Sequence, residues 1–114
     1  MPTGTHYLHV EHDGGIVIAT LPYSTVRDEE MALKIGQEIT ALDGAEVKLL
    51  INLRSVEEFS SRFLGMLAPL PRRMKAKLVF YVSEELASVF SSMKLDQTLK
   101  TTQNKEEALK LLRE

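Results

Sequence analysis

Three short apolar segments constrain the fold of this chain more than any other feature of its sequence. They are residues 16–21 (IVIATL), residues 47–53 (VKLLINL) and residues 77–82 (KLVFYV). All three resemble strands, and the first two are apolar enough to be buried on both faces. Helical patterns lie between them, so right-handed crossovers are the default connection expected between the strands. The sequence therefore predicts an α/β fold with a mostly parallel sheet.

A β-hairpin is predicted ahead of this alternation. Residues 6–12 alternate as a strand would. Two sets of side chains would point to opposite faces: His6, Leu8, Val10 and His12, and Tyr7, His9 and Glu11. Asp13-Gly14-Gly15 supplies the positive-φ positions that a tight turn requires. Pro22 is expected to end the second strand.

The first helix is expected after this strand. Ser24 and Thr25 are its candidate N-caps. The negative charges of the acidic residues 28–30 would interact favourably with the free N–H groups of a first turn. The helix would bury a stripe of apolar residues: Met31, Ile35, Ile39 and Leu42. Asp43-Gly44 is expected to end it, with Gly44 in the left-handed C′ position.

An apolar run, residues 63–70, predicts a second helix that proline interrupts. Pro69 and Pro71 each lack an amide hydrogen and crowd the preceding turn, so a break or kink is expected near Ala68-Pro69. A short second piece would carry basic residues: Arg72, Arg73 and Lys75. Most such clusters are solvated helix ends, and contact with an acidic partner is the less common alternative.

Two more helices complete the pattern. Ser83 would cap the third helix, a weak strand follows at residues 99–102, and Asn104 with Glu107 resembles a capping box for the last helix. No linker or repeat divides the chain. Residues 1–114 are therefore expected to form one domain with an N-terminal hairpin, a mixed and mostly parallel sheet, and about four helices.

Composition excludes several classes of function. The formal net charge is −2, with acidic and basic residues mixed, so no electrostatic footprint for nucleic acid is present. No apolar run is long enough for membrane insertion, and the N-terminal residues lack the pattern of a secretory signal. The chain has no cysteine, which excludes disulfides and thiolate chemistry. We expect a soluble, cytoplasmic domain.

The segment "INLRSVEEFSSRFLGML", residues 51–67, places two adjacent serines between a predicted strand and a predicted helix. Serine is a preferred N-cap residue, so both hydroxyls have a structural explanation. A serine at a helix start is also a site where a phosphate is tolerated, because free N–H groups and the helix dipole favour negative charge. We assign Ser60 to capping and Ser61 to a candidate switch.

The same segment resembles the central motif of the STAS domain, the fold of anti-sigma-factor antagonists and of sulphate-transporter tails. Asn52-Leu53, Val56 and Leu64-Gly65 match the family pattern, and the order of elements agrees along the whole chain. The family's aspartate, second serine and glycine are replaced here by Ser60, Arg62 and Phe63. By position, the serine that is phosphorylated in the family corresponds to Ser61.

The resemblance implies a regulatory interaction domain that binds an anti-sigma factor acting as a serine kinase, with phosphorylation of Ser61 ending the interaction. The expected contact residues surround the serine: Arg54, Ser55, Glu57, Glu58, Ser60, Arg62 and Phe63. Phe63 is either an exposed anchor for the partner or a core residue. The alternative function is a STAS-like adaptor, scaffold subunit or small-ligand binder without phosphorylation. The formation of a homo-oligomer is neither predicted nor excluded by the sequence.

Neither a metal site nor an enzyme is predicted. His6, His9 and His12 are spaced so that His9 faces away from the other two, and no carboxylate spacing completes a ligand set. The chain contains no nucleophile elbow and no phosphate-binding glycine loop. Glu57-Glu58 is a poor general-base arrangement for Ser61. No cofactor is expected.

Overall fold

A five-stranded mixed sheet forms the centre of the molecule, in a computed structural model that describes residues 7–97 and 99–114. In chain order the strands are β1 (His9–Asp13), β2 (Ile16–Thr20), β3 (Thr25–Val26), β4 (Lys48–Leu53), β5 (Glu58–Phe59), β6 (Lys77–Val82) and β7 (Thr101–Thr102). The main sheet has the order β1-β2-β4-β6-β7; among these described strands the β1–β2 pair is antiparallel and the other three pairs are parallel. The predicted α/β fold with a mostly parallel sheet is confirmed.

The hairpin closes through a two-residue turn. Asp13 pairs with Ile16, while Gly14 and Gly15 have φ angles of +54° and +86°. Positive φ at both central positions is the requirement of the turn type whose twist matches antiparallel strands. The described part of the first strand begins at His9, and the predicted position of His6 lies outside the described residues.

Helices cover both faces of the sheet. They are α1 (Glu29–Thr40), α2 (Ser61–Leu67), α3 (Leu70–Arg73), α4 (Glu84–Ser92) and α5 (Lys105–Arg113), with a 3₁₀ turn at Leu95–Gln97. The predicted second helix is split into α2 and α3 by Pro69, which confirms the expected break. Arg72 and Arg73 lie on α3, and Lys75 follows its end.

The cap of α1 differs from the prediction. Asp28, not Ser24 or Thr25, is the N-cap residue, and its carboxylate accepts a hydrogen bond from the Glu30 N–H at 2.8 Å. Thr25 instead belongs to β3, which pairs with β5 in a separate two-stranded sheet. The predicted caps at Ser83 and Asn104 are confirmed, since each side chain accepts a backbone N–H three residues on.

The end of α1 was also predicted incorrectly. The helix ends at Thr40, and its C-cap, Ala41, keeps a right-handed conformation, so Gly44 is not a left-handed C′ residue. Asp43 has a different structural role. Its Oδ1 accepts hydrogen bonds from the backbone N–H groups of Lys75 and Ala76, both at 2.8 Å, which ties the end of α1 to the start of β6.

The sheet separates two cores of unequal size. The larger lies beneath α1, α2, α3 and α4 and includes Phe63, Phe80 and Phe90, which are all fully buried. The smaller lies beneath α5, where Ala108 and Leu112 pack on four strand residues: Ile16, Ile18, Leu50 and Val79. Within the described residues, no helix is long and apolar enough to cross a membrane.

Candidate functional site

The loop that leads to the serine pair is held by the small β3–β5 sheet. The N–H groups of Glu57 and Glu58 both donate to the carbonyl oxygen of Ser24 at 2.9 Å. The N–H of Ser60 donates to the carbonyl oxygen of Val26 at 3.0 Å. These bonds fix the backbone immediately before α2 against the segment that precedes α1.

The first half of the loop is a tight turn anchored in the core. The Asn52 side-chain oxygen accepts the Arg54 N–H at 3.0 Å, and the Val56 N–H donates to the Leu53 carbonyl at 3.1 Å. Val56 is fully buried, and its carbonyl oxygen accepts the hydroxyl of Ser83 at 2.6 Å. Arg54 and the adjacent Ser55 remain exposed at the tip, where a partner can reach them.

The two serines occupy different positions at the start of α2. Ser60 is the N-cap residue, and its Oγ accepts the Phe63 N–H at 3.3 Å. Ser61 is the first helical residue, its side chain is exposed, and no hydrogen bond engages its hydroxyl among the described residues. The Ser61 side chain is therefore exposed to solvent, whereas the hydroxyl of Ser60 has a structural role.

Phe63 cannot act as an exposed anchor for a partner. Its side chain is completely buried, and its ring lies 6.3 Å from that of Phe59 in a tilted arrangement. Its inclusion among the predicted contact residues is corrected here, because a helical side chain two positions after Ser61 turns inward onto the sheet. The core alternative stated for Phe63 is the one that the structure supports.

The charged residues beside Ser61 already have partners within the protein. The Nε of Arg62 donates to Oε1 of Glu29 on α1 at 2.8 Å. Glu58 accepts hydrogen bonds from Arg27 at 2.8 Å and from the Thr25 hydroxyl at 3.2 Å. These side chains are more than half exposed, so the two ion pairs contribute no more than about 1 kcal/mol each to stability.

A groove of about 1060 Å³ opens beside Ser61, between α1 and the pair α2–α3. One face of α1 forms one wall, which includes Glu29, Leu33 and Gly36. The other wall contains Ser61 and Gly65. The groove therefore joins the candidate switch to a larger, mainly apolar surface that the sequence analysis did not identify.

Two weak signals in the sequence could have indicated this groove. Leu33 lies outside the buried stripe of α1 and is 61% exposed, although it is a large apolar residue. Gly65 lies inside α2, where glycine costs roughly 0.5–1 kcal/mol relative to alanine. Neither signal predicts a groove without knowledge of how closely the two helices approach each other.

The remaining candidates do not assemble into a site. His9 and His12 are both exposed on β1 and face opposite sides, since they pair with Thr20 and Val17. Within the part of the chain that the structure describes, no three His, Cys, Asp or Glu side chains lie close enough to hold a metal ion. The position of His6 is outside that part.

No known protein-family model matches this chain, and no curated protein matches it in sequence. The candidate site is therefore defined by its geometry: an exposed Ser61 hydroxyl, a fixed loop before it and a groove beside it.

Proposed function

We propose that this protein is a cytoplasmic regulatory interaction domain, similar in function to anti-sigma-factor antagonists of the STAS family. Its partner would be an anti-sigma factor that is also a serine kinase, and binding would release a sigma factor for transcription. Phosphorylation of Ser61 would end the interaction. The observation that carries this proposal is the exposed hydroxyl of Ser61 at the start of α2, next to the groove.

The switch would act on the surface and leave the fold intact. A phosphate adds about −1.5 to −2 charges at neutral pH, and at an exposed position it needs no rearrangement of the core. A partner packed over Ser61 would bury this charge, at a cost of a few kcal/mol unless new hydrogen bonds compensate. Because α2 has only seven residues, the burial of charge at the interface is the main source of the switch, not the helix dipole.

Direct phosphorylation tests the proposal. The protein is incubated with ATP and a purified serine kinase of the anti-sigma type, and intact mass and peptide mapping locate any added phosphate. We expect one phosphate on the wild type at Ser61 and none on Ser61→Ala. Ser92→Ala, which changes an exposed serine at the end of α4, is the matched control and should be phosphorylated like the wild type.

Partner binding supplies the second measurement. We expect the unmodified protein and Ser61→Ala to bind the kinase, and Ser61→Asp to bind at least about tenfold more weakly, which is a difference of about 1.4 kcal/mol. Two results together would contradict the proposal: the kinase adds no phosphate to the wild type, and the wild type and Ser61→Asp bind the kinase with the same affinity.

A STAS-like adaptor without phosphoregulation is the second candidate. The Arg62–Glu29 ion pair favours it, because the Glu29 carboxylate places negative charge near Ser61 and Arg62 is not free to receive a phosphate. An adaptor would use the same groove for a constant partner, and binding would not respond to the charge at position 61.

A further inference from the structure

Gly65 has no structural explanation within the protein. Beyond its chain neighbours and its own helical backbone, a Cβ atom built on Gly65 meets no heavy atom of the described residues within 4 Å, and φ there is not positive, so alanine or a larger residue would fit. The contrast is Gly36 on α1, where a Cβ would lie 2.7 Å from Cγ of Met66 on α2. A Cβ at Gly36 would therefore require the Met66 side chain to shift, whereas Gly65 leaves its backbone exposed to the groove.

The groove combines this bare backbone with apolar side chains. Leu33 is 61% exposed on the α1 wall, and Met66 and Pro69 line the opposite side. Because glycine has no side chain, another chain can approach its backbone more closely than the backbone of any other residue. An occupant that packs against Gly65 and covers Leu33 would therefore account for both features.

The walls of the groove favour a helical occupant. All of its lining residues lie on α1, α2 and α3 or at their ends, where most backbone groups, apart from the first N–H groups of each helix, are bonded within the helices. An extended peptide would find no strand edge to pair with, and its own buried N–H and C=O groups would lack partners. A helix satisfies its backbone internally and presents only side chains.

The charged side chains that line the groove indicate which kind of helix would bind there. The lining residues carry three charged side chains, of which Glu29 and Arg62 pair with each other. Arg73, at the α3 end, has no ion-pair partner among the residues that the structure describes. An apolar helix flanked by acidic residues therefore complements the groove, and a phosphate on Ser61 would repel it.

We infer that the groove between α1 and α2–α3 binds an amphipathic helix of a partner protein, with its apolar face on Leu33 and Gly65 and an acidic residue beside Arg73. This inference rests on the proposed function in taking the occupant to be a protein. It adds the secondary structure and charge of the partner's contacting segment, and a binding surface beyond the loop at residues 54–60.

A synthetic peptide tests the inference without any kinase. The probe is a helix of about 15 residues, with leucine at every third or fourth position and glutamate at the flanks; a second peptide carries lysine at the flanks. Titration into ¹⁵N-labelled protein should shift amide resonances of residues 29–41 and 61–73. We expect the acidic helix to bind about threefold to fivefold more tightly than the basic one, as one exposed ion pair allows.

Two variants locate the contact. Gly65→Leu should weaken binding of the acidic helix at least about tenfold, while Ser88→Leu, which adds the same side chain to an exposed position on α4, should leave it unchanged. Arg73→Glu should reverse the preference between the two peptides. Circular dichroism of each variant checks that the fold is retained, and Gly65→Ala serves as a second folded variant with a smaller loss.

Several results would overturn the inference. They are no detectable binding, equal binding of both peptides, shifts outside the groove, full binding by Gly65→Leu, or saturation of the groove by lauric acid with neither peptide competing. The last result would identify a small apolar ligand instead. Because no outcome depends on phosphorylation, failure here leaves the kinase experiment as an independent test, and the converse also holds.

Discussion

Ser60 and Ser61 are adjacent, yet their hydroxyls have different surroundings. The Ser60 Oγ accepts the Phe63 N–H, whereas Ser61 is exposed. We predict that Ser60→Ala lowers the free energy of unfolding by about 1 kcal/mol, the usual value of an N-cap, and that Ser61→Ala changes it by less than about 0.5 kcal/mol. Urea denaturation of both variants measures the difference. Equal losses would contradict the assignment of separate roles.

Ser83 is a polar residue whose side chain is fully buried. Its hydroxyl donates to the Val56 carbonyl at 2.6 Å and accepts the Leu86 N–H at 3.2 Å, so it both caps α4 and holds the loop before Ser61. Ser83→Ala removes both bonds and leaves a buried carbonyl without a partner. We predict a loss of about 2 kcal/mol in the free energy of unfolding, measured by urea denaturation.

Ser88→Ala is the control for this prediction. Ser88 lies on the same helix and is exposed, so its replacement should change stability by less than about 0.5 kcal/mol. A loss for Ser83→Ala no larger than that for Ser88→Ala would show that neither hydrogen bond contributes to stability.

Caps were predictable where one residue was the obvious candidate. Ser83 and Asn104 directly precede acidic first turns, and both were identified correctly. The N-cap of α1 was predicted at Ser24 or Thr25 and lies at Asp28, and local propensity does not distinguish these residue types because it ranks them almost equally. Thr25 is instead part of β3, which pairs with β5. The paired residues Thr25 and Glu58 are 33 positions apart in the sequence, so no local sequence pattern predicts this pairing.

At the scale of elements, the long strands and helices followed from the apolar pattern of the sequence, and the two-residue strands β3 and β5 did not. β4 and β6 match their predicted segments within one residue, since each has six residues with a continuous apolar pattern. β3 and β5 have two residues each, too few for any period. The groove was not predictable for a related reason, because its width depends on the approach of α1 to α2.

Gly36 and Gly65 provide a direct test of that approach. We predict that Gly65→Ala raises the free energy of unfolding by roughly 0.5–1 kcal/mol, because its Cβ meets nothing and helix propensity improves. Gly36→Ala should lower it by about 1–3 kcal/mol, because its Cβ overlaps Met66. Thermal and urea unfolding measure both changes.

A double-mutant cycle separates overlap from other effects of the Gly36 substitution. In a Met66→Ala background the loss caused by Gly36→Ala should largely disappear, since the overlapping side chain is gone. A loss that persists unchanged would mean that Gly36 is required for a reason other than the contact with Met66.

At the scale of the whole molecule, the two faces of the sheet depend on very different amounts of cover. Among the residues that the structure describes, α5 is the only helix on the smaller core, with Leu112 fully buried and Leu111 partly buried. We predict that Leu112→Ala lowers the free energy of unfolding by about 2–5 kcal/mol. Leu111→Ala is the matched control and should cost clearly less.

Guanidinium denaturation followed by circular dichroism measures both leucine variants. A loss for Leu112→Ala smaller than that for Leu111→Ala would contradict the packing of α5 on the sheet. A single transition for the wild type is expected, because α5 contacts β4 and β6, two interior strands of the sheet, and cannot detach without exposing them.

The pairing of β3 with β5 has a consequence for the speed of recognition. This pairing joins the segment just before α1 to the segment just before α2. The starts of α1 and α2, the two helices beside the groove at Ser61, are therefore held in a fixed position relative to each other. The surface offered to a partner would already be ordered, so binding would cost little conformational entropy on this protein's side of the interface. Association should then be limited by collision and orientation, with rates that rise with ligand concentration and show no slow unimolecular phase.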